Sequence, residues 1–387
     1  MSTPVTQEAV GVRQDVDRCS SCCVCSTLCP YEALKKDTAG KITLDIARCQ
    51  VCGLCYSTCP AKAIDTVYYD VDSLTGYLEN ARRESGSDTL VIMCKGSAPD
   101  SAKVQEMFGV SQFATLSVPC VGRVPEEIFL KAILMGFNEI DVLACEEDYC
   151  RFVRGSPVTS RKVAGLNAVL EQLGWGKVIN LKKNSLKVKA TSELCIACGN
   201  CVYYCPYHAA KLNSPGVISF DLSLCRGCGL CTAMCPALAL DLENWERERI
   251  STLISQHVID MTSPRILVFR CQWAVFPSLN GQSPASNIRF IDLPCASRVD
   301  TFHILEAFQK GVEGVMIAAC SEDDCKQEKA SGKAQRSVAK LQARLGQIGF
   351  QDKLYFCTVA PRYPDRFIKE LEQFSQKICQ ANKKEAT

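Results

Sequence analysis

The sequence predicts a multidomain α/β and α+β protein, in which two small cysteine-rich domains are each followed by an α/β domain with a parallel sheet. Two observations predict this class. The 27 cysteines of the 387-residue chain fall into two matching sets about 176 positions apart. After each cysteine-rich segment, short apolar runs alternate with stretches of helical periodicity, a pattern typical of parallel sheets. A chain of this length is expected to form several domains.

Composition and charge exclude several classes of protein. A net charge of +2 and a pI near 7.6 give no sign of a surface for nucleic acid or for a membrane. The first residues lack the apolar core of a signal peptide, and no apolar run reaches the roughly 18 residues that a membrane-spanning helix needs. We expect a cytoplasmic protein whose thiols bind metal, the alternative being a secreted disulfide scaffold.

The expected domain boundaries follow the cysteines. The first half comprises an N-terminal extension (1–17), a small cysteine domain (18–66), a linker helix (67–88) and an α/β domain (89–185). The second half repeats the last three with a cysteine domain (190–242), a linker helix (243–263) and an α/β domain (264–387).

Within the larger domains, apolar runs and amphipathic stretches predict alternating strands and helices. Strands are expected at 89–94, 114–120, 139–145, 177–181, 265–271, 288–295, 312–320 and 353–359. Helices are expected at 125–137, with Pro125 in the first turn, at 160–174, and near 299–310, 335–346 and 364–380. Several strands end in cysteine, so these thiols should meet at the carboxyl edge of each sheet, where ligands bind.

The pattern C-x2-C-x2-C-x3-C-P occurs four times, beginning at Cys19, Cys49, Cys195 and Cys225. This run is typical of bacterial ferredoxins, in which three thiolates hold one 4Fe–4S cluster and the fourth holds its neighbour. The expected ligand sets are Cys19, Cys22, Cys25 and Cys59; Cys29, Cys49, Cys52 and Cys55; Cys195, Cys198, Cys201 and Cys235; and Cys205, Cys225, Cys228 and Cys231. Structural zinc is the alternative, although zinc sites usually show paired C-x2-C knuckles. The two small domains are therefore expected to be ferredoxin-like, with two clusters each.

Eight further cysteines form two sets of four in the α/β domains. The sets are Cys94, Cys120, Cys145 and Cys150, and Cys271, Cys295, Cys320 and Cys325. Four thiolates at one sheet edge suit a 2Fe–2S cluster or a zinc ion, and an empty site is the third alternative. A Rieske-type centre is excluded because His208, His257 and His303 have no counterparts in the other half. We expect His208 to cap a helix or to pack against one.

Two arginines and three unmatched cysteines leave alternatives open. Arg123 and Arg298 follow their cysteines by three positions, and each either donates to cluster sulfur or pairs with a loop carboxylate (Glu146, Glu147 or Glu322). Cys23 lies inside a ligand loop and is either an incidental thiol or a substitute for Cys22. Cys357 and Cys379 have no counterparts, and we interpret them as buried or incidental thiols.

The larger domains resemble the delta-subunit family of methyl-viologen-reducing hydrogenases. The resemblance rests on PCVGRV and CEEDYC in the first half and on PCASRV and CSEDDC in the second. The family often shows C-N-W-C at its first site, where this chain has CKGS and CQWA. The resemblance implies a 2Fe–2S cluster in each domain. It also implies partners, namely a donor of the hydrogenase or formate dehydrogenase type and a heterodisulfide reductase A-like flavoprotein. The first half keeps the family's loop around Cys120 and Cys150, so we expect the flavoprotein to dock there, with Arg151 and Arg154 in contact.

Motifs for other cofactors are missing from the sequence. There is no G-x-G-x-x-G after a strand, no P-loop and no nucleophile elbow, so no flavin, nicotinamide or nucleotide site is expected. The sequence thus favours a non-catalytic electron-transfer subunit of an oxidoreductase complex. The alternatives are a disulfide- or quinone-linked reductase subunit that acts at a delta-like cluster, and an iron–sulfur redox sensor.

Overall fold

The computed structural model describes residues 11–213, 216–276 and 285–385, and it divides into two compact units. One unit comprises residues 1–185 and 276–281, and the other comprises residues 186–275 and 282–387. Each unit contains short antiparallel ribbons followed by a four-stranded parallel sheet. The expected fold class, with α/β domains and small ferredoxin-like domains, is confirmed.

The first unit begins with two antiparallel ribbons and two short helices. Their bounds are β1 (Val12–Gln14), α1 (Val24–Leu28), β2 (Leu34–Lys36), β3 (Ile42–Leu44), α2 (Leu54–Thr58) and β4 (Ile64–Thr66). Strand β1 pairs with β4, and β2 pairs with β3. The structure thus differs from the expected extension over 1–17, because residues 12–14 complete a ribbon. Residues 1–10 of that segment lie outside the described residues.

The linker helix and the first parallel sheet follow. Their elements are α3 (Val71–Ser85), β5 (Thr89–Cys94), α4 (Ser101–Phe108), β6 (Ala114–Val118), α5 (Glu126–Leu134), β7 (Glu139–Cys145), α6 (Gly155–Gln172) and β8 (Ile179–Asn184). The strand order is β6-β5-β7-β8 and all neighbours are parallel. Helix α3 begins where the Asp70 side chain accepts from the Ser73 amide, and it ends at Gly86 in the left-handed conformation.

The second unit repeats this order of elements. Its small domain and linker helix comprise β9 (Val188–Ala190), α7 (Asn200–Tyr204), β10 (Ala210–Asn213), β11 (Val217–Phe220), α8 (Leu230–Ala233), β12 (Leu240–Leu242) and α9 (Arg247–Ile259). Strand β9 pairs with β12, and β10 pairs with β11. Residues 214–215 in the connector between β10 and β11 lie outside the described residues.

The second parallel sheet has the strand order β14-β13-β15-β16. Its elements are β13 (Ile266–Cys271), β14 (Ile288–Leu293), α10 (Thr301–Gln309), β15 (Gly314–Cys320), α11 (Ala330–Leu345), β16 (Leu354–Val359) and α12 (Pro364–Glu385). The central strand β15 is buried along its whole length, as continuous apolar runs in parallel sheets require. None of the helices in the described part of the chain is long and apolar enough to cross a membrane.

Candidate metal centres

Each ferredoxin-like domain has a cavity lined by the thiols expected to share an outer cluster. In the first half Cys19, Cys22 and Cys25 line one cavity together with Cys59 from the second motif. In the second half the corresponding cavity is lined by Cys195, Cys198, Cys201 and Cys235. The structure thus brings together thiols from two separate motifs, in the cross-over combination that the spacing predicts.

The other expected sets also come together. Cys205, Cys225, Cys228 and Cys231 line a third cavity. In the first half, Cys52 and Cys55 are each close enough to Cys29 and Cys49 for these thiols to raise their pKa values, although burial is the largest cause. We call these two sets the inner sites, and the two sets described above the outer sites.

The crossing cysteines share one local geometry. Three of them accept a backbone N–H···S bond from the alanine four positions later, as Cys29 does from Ala33 at 3.4 Å, Cys59 from Ala63 at 3.3 Å and Cys205 from Ala209 at 3.3 Å. The residue before each alanine has a positive φ, which turns the amide back toward sulfur. His208 is one of these residues, so the expectation that it caps or packs a helix is wrong; its exposed ring follows from its place in the turn.

Burial disfavours the thiolate form of some of the expected ligand cysteines. It raises the pKa of Cys52 to about 12 and the pKa of Cys25 to about 11. Within the described residues none of the 27 cysteines is in a disulfide. Apolar cavities that are lined by four thiols suit iron–sulfur clusters, whose binding replaces the thiol protons.

In the first delta-like domain, four thiols meet at the carboxyl edge of the sheet. Cys94 and Cys145 end the neighbouring strands β5 and β7, and their sulfur atoms lie 3.3 Å apart. Cys120 follows β6 and is within hydrogen-bonding reach of Cys94. The fourth thiol, Cys150, accepts from the Ser156 amide at 3.3 Å, at the start of α6.

Gly155 leaves room for two of these thiols. A Cβ at this position would overlap the Cys120 sulfur and would lie 3.2 Å from the Cys150 sulfur. The absent side chain therefore allows both sulfurs to approach the first turn of α6. A helix N-terminus favours negative charge, which suits thiolates that hold a metal.

The second delta-like domain repeats the arrangement. The sulfurs of Cys271 and Cys320 lie 3.5 Å apart at the ends of β13 and β15. Hydrogen bonds from neighbouring cysteines of the same set hold the pKa of Cys271 well below its ordinary value. The same cause lowers the pKa of Cys94 in the first half. Each set of four therefore contains a cysteine with a lowered pKa at the end of its first strand, and in the second set a hydrogen bond with Cys320 also lowers the pKa of Cys325 to about 6.

The sulfur positions show which cysteines lie next to one another at each site. Among the residues that the structure describes, no three His, Cys, Asp or Glu side chains are arranged as a ready site for one metal ion. The fit to a cluster therefore rests on the donor type, on the convergence of four thiols and on the glycine at position 155, whose missing side chain lets two of them approach.

Arg123 and Arg298 do not have the carboxylate partners that were one of the two alternatives suggested by the sequence. Arg123 donates to Thr66 Oγ1 at 3.3 Å and to the Tyr68 carbonyl at 2.5 Å. Arg298 donates to the Trp245 carbonyl at 2.9 Å and to Asp241 at 3.1 Å. Neither bonds to Glu146, Glu147 or Glu322 in the described part of the chain, so the alternative of pairing with those carboxylates is wrong. Both side chains instead reach into the ferredoxin-like domain of their own unit.

The inner site of each unit touches the delta-like turn directly. In the first unit Ser57 on α2 donates to the Gly122 carbonyl at 2.8 Å. In the second unit Ser297 donates to the Cys228 carbonyl at 3.1 Å. A cluster loop and a delta-like thiol turn are therefore hydrogen-bonded to each other in both units.

A tyrosine after each inner crossing cysteine adds a second connection, which the sequence analysis missed. The Tyr31 hydroxyl lies 3.5 Å from the Arg151 carbonyl, and the Tyr207 hydroxyl donates to Gln327 at 2.9 Å. Both partners lie in the loop after the second cysteine of C-x4-C. The signal was present in the sequence, because tyrosine follows Cys-Pro only at the inner crossing cysteines, whereas Ala61 and Ala237 follow it at the outer ones.

Family comparison agrees with this architecture. The sequence matches the family described as methyl-viologen-reducing hydrogenase, delta subunit, over residues 90–190 and 266–381, which together exceed half of the chain. It also matches a 4Fe-4S dicluster domain over residues 194–239 and a 4Fe-4S binding domain over residues 46–69. The presence of 4Fe–4S binding domains is thereby confirmed.

Comparison with curated proteins identifies two kinds of relative. Ferredoxin:CoB-CoM heterodisulfide reductase A of Methanosarcina mazei is 27% identical over 65% of this chain. The iron-sulfur subunit of the vhc F420-non-reducing hydrogenase of Methanococcus voltae is 33% identical over 23% of this chain and 65% of its own length. The chain spans only 30% of the length of the Methanosarcina mazei protein. By the extent of its family match, this iron–sulfur protein belongs to the methyl-viologen-reducing hydrogenase delta-subunit family.

Proposed function

We propose that the protein is a cytoplasmic electron-transfer subunit with six iron–sulfur centres. Four would be 4Fe–4S clusters at the outer and inner sites, and two would be 2Fe–2S clusters at the delta-like sites. When bound, such clusters take up and release single electrons. The donor would be of the hydrogenase or formate dehydrogenase type, and the acceptor a heterodisulfide reductase A-like flavoprotein.

One observation carries the proposal. In each unit the loop of the inner site is hydrogen-bonded to the delta-like thiol turn, through Ser57 in the first and Ser297 in the second. The outer and inner sites share a ferredoxin-like domain, since each draws its fourth thiol from the other's motif. Outer, inner and delta-like sites therefore follow one another within a unit, which suits a protein that conducts electrons.

Metal content tests the proposal. The full chain, purified and reconstituted without oxygen, should contain about 20 iron atoms, from four clusters of four irons and two of two. A chain with about 16 irons and two zinc ions would show that the delta-like sites are structural zinc sites. A chain without iron would overturn the proposed function.

The ligand pairing has its own test. Cys29→Ser should damage the inner site with Cys49, Cys52 and Cys55 and leave the outer site of the first half intact, as followed by electron paramagnetic resonance. Cys59→Ser is the matched variant and should have the opposite effect. Selective loss of the outer signal in Cys29→Ser would contradict the cross-over pairing.

Docking at the first delta-like site is supported by the loop after Cys150. Val153 has φ 57° and is 58% exposed, which is an unusual state for a β-branched residue. The corresponding residue of the second half is the exposed Glu328. Arg154 is a poor candidate for the contact, because its guanidinium donates to the Thr27 carbonyl of the same unit. We therefore propose that Val153 lies at the centre of the docking surface.

A further inference from the structure

The two buried arginines sit in different electrostatic surroundings. Arg123 is 0% exposed, and its Nε and Nη1 have no hydrogen-bond partner among the described residues. Its charge faces the ring of Tyr69, 5.0 Å from the ring centre, and no carboxylate in the described ranges forms an ion pair with it. A buried cation without a counter-charge strongly destabilises the folded state. A negatively charged group close to Arg123 would remove that cost.

The head of Arg123 lies over the loop of the inner site. A Cβ on Gly53 would be 2.8 Å from Arg123 Cβ, 3.0 Å from Nε and 3.3 Å from Cζ, and Gly53 stands between Cys52 and Cys55. The guanidinium therefore rests against the chain that carries two of the expected ligands.

Arg298 is arranged differently in the second unit. A Cβ on Gly229 would meet the aliphatic stem of Arg298, 2.7 Å from Cδ and 3.1 Å from Cβ. Its guanidinium is turned away toward Asp241, at 3.1 Å, and Asp300, at 3.9 Å. Both loops therefore touch the arginine stem, but Nε and Cζ of the guanidinium are among the nearest atoms only in the first unit.

Other charged groups near these arginines complete the comparison. In the first unit the Lys162 ammonium donates to the carbonyls of Gly122 and Val124 at 3.1 and 3.0 Å, with Glu126 at 3.9 Å. In the second unit Arg247 adds one positive charge, but it pairs with Asp300 at 2.9 Å. The charged groups named here sum to one positive charge in the first unit and to zero in the second.

We infer that Arg123 raises the reduction potential of the inner centre of the first half above that of its counterpart in the second half. The inference rests on the proposed function, because it requires clusters at these sites. Adding one electron to a cluster adds one negative charge, which a cation held in a low-dielectric interior stabilises. At a given solution potential the inner centre of the first half is therefore reduced in a larger fraction of molecules than its counterpart in the second half.

The test is a redox titration of the reconstituted full chain with dithionite as reductant, followed by electron paramagnetic resonance. The signals are assigned by their loss in Cys49→Ser and in Cys225→Ser. In the unsubstituted chain, the signal lost in Cys49→Ser should have the higher midpoint potential. Arg123→Met should lower that potential, because methionine keeps much of the apolar stem without the charge, and Arg123→Lys should restore part of it.

Asp241→Asn is the matched variant in the second half. It retains an oxygen that accepts from the Arg247 amide and from Arg298, but it removes one compensating charge. The potential of the signal lost in Cys225→Ser should therefore rise. If Arg123→Met loses its iron, the comparison of the two midpoint potentials in the unsubstituted chain still tests the inference, and Asp241→Asn tests whether one nearby charge shifts the potential of an inner centre.

Two results would overturn the inference: equal midpoint potentials of the two inner centres in the unsubstituted chain, or no shift in the variants that retain their iron. A chain that binds no iron would instead contradict the proposed function itself. Iron content is measured on every sample, so the two failures are distinguishable.

Discussion

Asp141 is a residue whose charge the fold accommodates poorly. It lies on β7 and is 0% exposed, and its Oδ2 has no hydrogen-bond partner in the described part of the chain. Only Oδ1 is satisfied, by the side-chain amide of Asn180 at 3.0 Å. Burial raises the pKa of Asp141 from 3.8 to about 6. The folded state therefore holds this proton to higher pH than the unfolded state does.

The sign of the pH dependence follows from this shift. Asp141 costs the least stability below pH 3.8, and the free energy of unfolding should fall as the pH rises through about 6. Asp141→Asn removes the charge and should stabilise the first unit at pH 7.5 by up to about 3 kcal/mol. Met316 holds the equivalent position on β15, so the sheet accepts a neutral side chain there.

Urea unfolding at pH 5 and pH 7.5 measures the effect. The advantage of Asp141→Asn should be clearly larger at pH 7.5. Asp72→Asn, at an exposed position in the first turn of α3, serves as a charge-matched control and should show no such gain. An equal effect of Asp141→Asn at both pH values would contradict the assignment.

The hydrogen-bond partners of Arg123 could not be predicted from the sequence. Arg123 follows a cysteine by three positions, and the sequence left open whether it bonds to cluster sulfur or to a carboxylate of the neighbouring loop. Its hydrogen-bond partners in another domain, Thr66 and the Tyr68 carbonyl, have no motif of their own. Contacts between residues far apart in sequence leave no periodic signal, so such pairs emerge only from the folded chain.

At the level of elements, the short helix of each ferredoxin motif begins after a residue in the left-handed conformation. That N-cap residue is Gly53, Gly199 and Gly229 in three motifs, with φ between 74° and 79°, and Cys23 in the fourth, with φ 63°. The Cys23 thiol donates to the Ser21 carbonyl at 3.3 Å. It also lines the outer cavity of the first half.

Cys23→Gly should therefore stabilise the chain, because glycine adopts this conformation without strain. A gain of about 1 kcal/mol is expected from the backbone strain removed. Thermal unfolding of the reconstituted chain measures it, and the iron content should not change. Gly199→Ala is the converse variant and should lower the stability. A Cβ at this position meets nothing within 4 Å, so the only cost is the strain of the left-handed backbone. Loss of iron in Cys23→Gly would identify Cys23 as a ligand.

The longer elements were predictable, and the shortest were not. Strands β5, β7 and β15 are continuous apolar runs that end in cysteine, and the structure begins and ends them close to the expected residues. Strands β1 and β9 have three residues each, too few to display a period. Helix α4, with eight residues, was also missed.

At the level of the whole molecule, the two delta-like loops should differ in what they bind. Val153→Asn should weaken the affinity for a heterodisulfide reductase A-like flavoprotein by roughly tenfold, the loss expected for an apolar side chain at the centre of an interface. Asparagine tolerates the left-handed conformation, so the loop should keep its shape. Binding of the purified flavoprotein to the immobilised chain measures the change.

Glu328→Gln is the control in the second half and should leave that affinity unchanged. A loss caused by Glu328→Gln, with Val153→Asn silent, would move the docking surface to the second delta-like domain. Both variants should retain the iron content of the unsubstituted chain, because neither residue is a thiol.

The thiol sets were the most predictable part of the candidate sites. Spacing within each run implied that the fourth cysteine serves the neighbouring motif, and the three cavities contain those combinations. The succession of inner and delta-like sites was not predictable. It depends on hydrogen bonds such as that from Ser57 to Gly122, which join residues of ordinary type that belong to no motif.

The close packing of glycine against arginine bears on how the gene was copied. Gly53 and Arg123 belong to different domains, as do Gly229 and Arg298, yet neither glycine has room for a Cβ beside its arginine. A duplication that took only one of the two domains would have separated these partners. The ancestor that doubled was therefore already a fusion of both domains, and the pair was inherited as a block. Descendants that have lost the arginine should still keep the glycine, because its left-handed backbone conformation would strain any other side chain.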